Sequence, residues 1–92
     1  MIVSFKCQDT EALSKGHRIK RFISIERVAL RKLRQLQIAR SLSDLKIPPG
    51  NRLEPLMGGR KGQFSIRINK QFRICFNWTP AGPSNVEIID YH

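Results

Sequence analysis

"QFSIRINKQFRICFNW", residues 63–78, decides the fold. Phe64, Ile66 and Ile68 alternate with Gln63, Ser65 and Arg67, and Phe72, Ile74, Phe76 and Trp78 alternate with Arg73, Cys75 and Asn77. Side chains on a strand point to opposite faces with a period of two, so each run is a strand with one apolar and one polar face. Asn69-Lys70-Gln71 between the runs is short enough for a hairpin. The aromatic side chains share their faces with isoleucines, which marks a core face rather than a base-stacking platform.

Toward the C-terminus, "TPAGPS" (79–84) reads as a turn-rich connection and "NVEIID" (85–90) as a final strand. Toward the N-terminus, "NRLEPLMGG" (51–59) reads as the first strand of the same meander, with Pro55 favouring an edge or a bulge. Pro48-Pro49-Gly50 closes a short helical piece, "SLSDL" (41–45), because proline cannot continue a helix. Before it comes the main helix, "SIERVALRKLRQLQIAR" (24–40). Ser24 is a plausible N-cap, and Ile25, Val28, Ala29, Leu33, Leu36 and Ala39 recur at helical spacing. "DTEALSKG" (9–16) is a helical turn or two capped at Asp9 or Thr10, "KGHRIKR" (15–21) a mobile loop, and "IVSFK" (2–6) a short first strand. The expected fold is a single α+β domain spanning 1–92, with the N-terminal strand and helices packed on a mainly antiparallel sheet.

Charge narrows the function. Seventeen Lys and Arg against seven Asp and Glu leave a formal +10. Such an excess repels itself and suits a polyanionic partner, nucleic acid first and anionic membrane second. From Arg52 to Arg73 there are six basic residues, Arg52, Arg60, Lys61, Arg67, Lys70 and Arg73, and one acid, Glu54. The planar guanidinium fork can donate two hydrogen bonds to one phosphate, so arginines on the polar sheet face fit an RNA backbone. Arg27, Arg31, Lys32 and Arg34 on the main helix read either as a solvated face or as a contact with RNA or an acidic partner. Cys7 and Cys75 form no CxxC, and His17 and His92 lack metal-ligand spacing, so reduced thiols in a cytosolic protein and no metal are expected. The N-terminus has no long apolar run, so neither a signal peptide nor a transmembrane helix is expected there.

The chain ends on Asp90, Tyr91 and His92. One reading is a frayed polar tail. The other is proton chemistry beside the basic face. There His92 would transfer a proton, Asp90 orient it, Tyr91 stack on a base or donate to an oxyanion, and Arg73 stabilise a pentavalent phosphate. Strict alternation puts Asp90 and His92 on the face of Val86 and Ile88, with Tyr91 opposite.

Taken together, "MIVSF", "PPGNRLEPL", "GQFSIRIN", "QFRICFNW" and the terminal "NVEIIDYH" resemble the HigB-type toxins of the RelE/ParE toxin–antitoxin superfamily, most closely the GraT-like branch. The resemblance implies a compact microbial RNase-like (RelE-like) fold. It implies ribosome-dependent, metal-independent cleavage of A-site mRNA in the cytoplasm, without a cofactor or a membrane partner, and control by a helix-turn-helix, HigA-like antitoxin. Arg73 matches the family's phosphate-stabilising arginine, and Asp90, Tyr91 and His92 match its catalytic C-terminus. Two positions depart: many HigB toxins have His and Lys where this chain has Glu54 and Met57. Glu54 can act as a base and is shared by GraT-like relatives, whereas Met57 cannot replace a cation. A different class, a non-catalytic ParE-like inhibitor of translation or gyrase, has no need of the terminal histidine.

Overall fold

The structure, a computed structural model, describes residues 1–90; Tyr91 and His92 lie outside the described residues. Two α-helices, α1 (Gln8–Ser14) and α2 (Glu26–Ile38), precede a four-stranded sheet of β1 (Glu54–Pro55), β2 (Gln63–Arg67), β3 (Phe72–Thr79) and β4 (Gly82–Asp90). The sheet is an antiparallel meander in the order β1-β2-β3-β4. The chain is thus α+β, and the period-two reading of residues 63–78 holds residue by residue. Phe64 pairs with Phe76, Ile66 with Ile74 and Arg67 with Arg73. The hairpin closes through Asn69, whose Oδ1 accepts from the Gln71 and Phe72 amides at 2.8 Å each. A short amide side chain is suited to hold such a turn.

The apolar face of the sheet is the core. Ile66, Ile74, Phe76, Val86 and Ile88 are buried in one cluster with Leu13, Ala29, Leu33, Leu36 and Leu45 from the helical layer. Phe22 meets Phe72 edge to face, with ring centroids 6.3 Å apart.

Several elements differ from the pattern-based expectation. The N-terminal strand is reduced to one parallel bridge, Phe5 with Val86. It ends there because α1 begins at Gln8, and its Thr10 Oγ1 accepts the Ile88 amide at 3.0 Å in place of a further strand partner. The 15–21 segment is not all loop: a 3₁₀ turn spans Lys20–Ile25 and runs straight into α2. Buried Phe22 and Ile25 anchor that turn, and Arg21 bonds Asp9 at 2.9 Å while lying over the Phe22 ring. Ser24 therefore caps nothing; Ile25 occupies that position. "SLSDL" is a 3₁₀ turn, Leu42–Lys46, whose entry is held by Asp44 Oδ2 accepting the Arg40 and Ser41 amides. The strand read in 51–59 shrinks to Glu54–Pro55, flanked by 3₁₀ turns at Pro49–Asn51 and Gly58–Arg60.

At the other end β4 starts earlier than "NVEIID", because Gly82, Pro83 and Ser84 already pair with Thr79, Trp78 and Asn77. Only glycine fits at position 82. Its φ is +130°, and a Cβ there would meet the Met1 carbonyl oxygen at 2.2 Å. Between the Cys75–Glu87 and Asn77–Ser84 pairs, β4 carries one residue more than β3. Asn85 absorbs the bulge at φ +52°, a left-handed conformation that asparagine tolerates.

Lys32 is not part of the solvated helix surface. It is 7% exposed, and its Nζ donates to Asn51 Oδ1. Asn51, itself fully buried, donates from Nδ2 to Gln35 Oε1 and the Leu45 carbonyl, both at 3.0 Å. Burial, with a smaller contribution from Arg31, pulls the Lys32 pKa below its ordinary value.

Candidate functional site

The helical layer covers one face of the sheet and leaves the polar face open. Register places Glu54, Ser65, Cys75 and Glu87 in one row across all four strands. Arg67 and Arg73 form the adjacent row, directly opposite each other on β2 and β3. Like charges in that relation repel, so the arrangement costs stability unless counter-charge is present.

Arg73 is held tightly. Its Nη1 donates to Ser65 Oγ at 2.6 Å and lies 3.2 Å from Glu54 Oε1. Its side chain is 12% exposed, against 48% for that of Glu54. Ser65 is fully buried beneath it. The guanidinium thus rests on a hydroxyl fixed in the sheet and shares charge with a carboxylate half in water. Arg67 turns toward the hairpin, where its Nε donates to the Asn69 carbonyl at 3.1 Å.

A second charged group occupies the β4 half of the same face. Arg60 Nη1 donates to Glu87 Oε1 at 2.8 Å and to Gln63 Oε1 at 3.1 Å. Lys6 Nζ approaches the same Glu87 oxygen at 3.8 Å. Between the two groups lies Cys75, fully buried. Burial pushes its thiol up to about 11, with Arg60, Glu87, Arg73 and Lys6 acting on it electrostatically. Burial therefore disfavours the thiolate form of Cys75.

The other residues expected at the site are spread more widely. Lys61 and Lys70 are exposed, one after the Gly58–Arg60 turn and one at the β2–β3 hairpin tip. Arg52 is exposed and left-handed, φ +46°, after the Pro49–Asn51 turn. Met57 is 83% exposed and brings no charge. Arg27, Arg31 and Arg34 are exposed on α2, in the layer on the far side of the sheet from Arg73. They do not form one patch with Arg60 and Lys61. Asp90 pairs with Phe72, one position beyond the Arg73–Ile89 pair, and so belongs to the opposite face; its Oδ2 accepts from Gln71 Nε2 at 3.1 Å. Tyr91 and His92, expected to complete the site, lie outside the described residues.

Ser65, Glu87 and Lys6 belong to the site but were not singled out from the sequence. Ser65 could have been found, because it alternates with Arg67 on the polar face. Glu87 could have been found in the same way, between Val86 and Ile88, whereas Lys6 depends on the parallel bridge of its neighbour Phe5, which leaves no local pattern. Among the described residues, no cluster of three or more His, Cys, Asp or Glu could hold a metal ion, and no helix is long and apolar enough to cross a membrane.

Residues 9–92 match a family model described as the RelE-like toxin of the type II toxin–antitoxin system HigB. The chain is 46% identical to Toxin HigB-1 of Vibrio cholerae, over 100% of this chain and 98% of that protein. It is 34% identical to an uncharacterized protein of Haemophilus influenzae, over 75% of this chain and 67% of the relative. Among solved structures it is similar to a YoeB/ParE toxin from Agrobacterium tumefaciens, with a TM-score of 0.45 and 21% identity over 99% of this chain and 96% of the other.

Proposed function

This chain belongs to the HigB-like family of RelE-like toxins of type II toxin–antitoxin systems, and from that premise we propose that it is a ribosome-dependent endoribonuclease acting in the cytoplasm on A-site mRNA. The observation that carries the reading is Arg73: a cation seated on buried Ser65 and paired with a half-exposed carboxylate on the open sheet face. An incoming phosphodiester would take the place of the half-exposed Glu54 carboxylate on Arg73.

The reaction requires no metal. Glu54 takes the proton of the ribose 2′-hydroxyl, and that oxygen attacks the phosphorus. Arg73 stabilises the pentavalent phosphate as its charge builds. The bond to the 5′-oxygen breaks, and His92 returns a proton to that leaving oxygen. The products are a 2′,3′-cyclic phosphate and a 5′-hydroxyl end. Tyr91 stacks on a base or donates to the oxyanion. When phosphate arrives, Ser65 keeps Arg73 in place while Glu54 exchanges its partner, which its exposure allows.

The ribosome supplies what the small site lacks. Holding a bent codon in a reactive geometry is worth roughly 7–11 kcal/mol of a barrier. Arg52, Arg67, Lys61 and Lys70 contact RNA around the site, and Arg27, Arg31 and Arg34 dock on ribosomal RNA from the helical layer. A HigA-like, helix-turn-helix antitoxin holds the toxin in check.

The test compares one mRNA, free and in a programmed ribosome with an open A site, by mapping new 5′ ends. Cuts on the ribosome alone are expected. Efficient cutting of the free RNA would instead make the protein an autonomous ribonuclease. Intact mRNA with arrested growth would favour a non-catalytic inhibitor of translation or gyrase.

A further inference from the structure

The main helix carries more apolar surface than the core takes up. Ala29, Leu33 and Leu36 of α2 are buried in the core, whereas Leu30 is half-buried and Ile38 is 70% exposed. Leu30, Arg34 and Ile38 recur at a spacing of four, so they stack along one side of the helix. That side forms one wall of a groove of about 870 Å³, and the N-terminal segment forms the other with Ile2 and Phe5. Both walls are fixed. The Ile2 amide donates to Gln37 Oε1 at 3.0 Å, and Phe5 is bridged to Val86. The groove is thus built into the fold before any partner arrives.

Its chemistry selects the occupant. Ile2, Phe5, Leu30 and Leu33 line it with apolar side chains, and Arg31 and Arg34 add positive charge; among the described residues no acid lines it. Among the described residues, neither arginine has a carboxylate within salt-bridge distance. Such a groove fits a peptide whose apolar side chains are set among carboxylates. An RNA backbone would leave the apolar lining without a partner. A second copy of this chain would bring another +10 and be repelled. At a rise of ~1.5 Å per residue, the helix runs about 12 Å from Leu30 to Ile38, room for roughly two turns of a partner helix.

We infer that the groove between the N-terminal segment and α2 seats an acidic, amphipathic segment of the antitoxin, with Ile38 as an apolar contact and Arg31 and Arg34 as charge partners. The inference rests on membership of a toxin–antitoxin family for the existence of that partner, and it holds whether or not the chain cuts RNA. On the ribonuclease reading, Arg31 and Arg34 face the antitoxin in the resting complex and ribosomal RNA once it has left.

The probe is the full-length antitoxin of the chain's own pair, bound to the full toxin in surface plasmon resonance, which separates association from dissociation. Ile38→Ser is expected to weaken binding roughly 10–100-fold, the worth of burying one aliphatic side chain, chiefly through faster dissociation. Ile38 is mostly exposed in the toxin alone, so this variant should melt as wild type does. Arg31→Gln combined with Arg34→Gln should weaken binding roughly tenfold, chiefly through slower association, and reduce its salt dependence. Lys46→Gln, a charge loss outside the groove, should leave both rates close to wild type. Ile38→Ser should bind ribosomes as wild type does, because it removes no charge. Wild-type antitoxin affinity in Ile38→Ser or in the arginine double variant would overturn the site, as would failure of wild type to bind the antitoxin. Ribosome binding lost in Ile38→Ser with antitoxin binding intact would make RNA the occupant and overturn it too. A dimer of the isolated toxin that Ile38→Ser dissociates would do the same in favour of a second copy. Cleavage on programmed ribosomes tests the ribonuclease reading separately.

Discussion

Two partly buried cations in this protein sit in polar clusters of opposite character. On the sheet, Arg73 rests on Ser65 and pairs with Glu54, whose side chain is 48% exposed. On the helical layer, Lys32 donates to Asn51, which is sealed from solvent and bonded to Gln35 and the Leu45 carbonyl. The sheet cluster has a charged partner with one side in water, so an incoming anion can take that partner's place. The helical cluster has neutral acceptors, and its central one, Asn51, is fully buried. Similar ingredients thus give a site in one place and a staple in the other, and exposure of the partner makes the difference.

The contrast breaks most visibly if Arg73 proves structural. Arg73→Ala is expected to reduce cleavage on programmed ribosomes by about 10²–10³-fold, the usual cost of removing a group that stabilises transition-state charge, with little loss of melting temperature. His92→Ala should cost about 10²–10⁴-fold. Wild-type rates from either folded variant would defeat the mechanism.

The opposite outcome is expected for the staple. Asn51→Leu leaves the Lys32 ammonium and the Leu45 carbonyl without their partner, at a cost of about 2–3 kcal/mol. Chemical denaturation should show that loss, while the cleavage rate per folded molecule stays as in wild type. A stable Asn51→Leu that no longer cuts would transfer function to the helical cluster.

The helical layer's surface gives a third comparison. Reversing Arg27, Arg31 and Arg34 to glutamate should weaken ribosome binding and flatten its salt dependence, since fewer counterions are released. Single-turnover cleavage within the bound complex should remain. Unchanged binding would leave docking to the sheet face alone.

The smallest expected effect is in pH. The folded-state pKa of Lys32 lies below the ordinary 10.5, so between those two values the unfolded chain binds more protons. Stability from this group therefore rises with pH across that window and is flat below it. The rise should disappear in Lys32→Met, read as the difference between the two proteins' denaturation free energies.

Much of this was legible in the amino-acid order. Period-two runs on both sides of Asn69-Lys70-Gln71 specified the hairpin, its apolar face and the placing of Arg67 with Arg73, because strand side chains alternate whatever surrounds them. The apolar stripe of Ala29, Leu33 and Leu36 specified which side of the main helix is buried. Other features required the folded chain. Lys32 looks like its neighbours Arg31 and Arg34 in sequence and is buried only because Asn51, nineteen residues on, returns beneath it. Ser65 becomes the seat of Arg73, and Glu87 the anchor of Arg60, only once register is set. The β4 register shifts at Asn85, and the N-terminal segment bridges to Val86. Local order dictates which face a side chain takes, since that follows from backbone geometry within a few residues. Which side chains meet on that face depends on pairings between distant segments, and those are decided by the packing of the whole molecule.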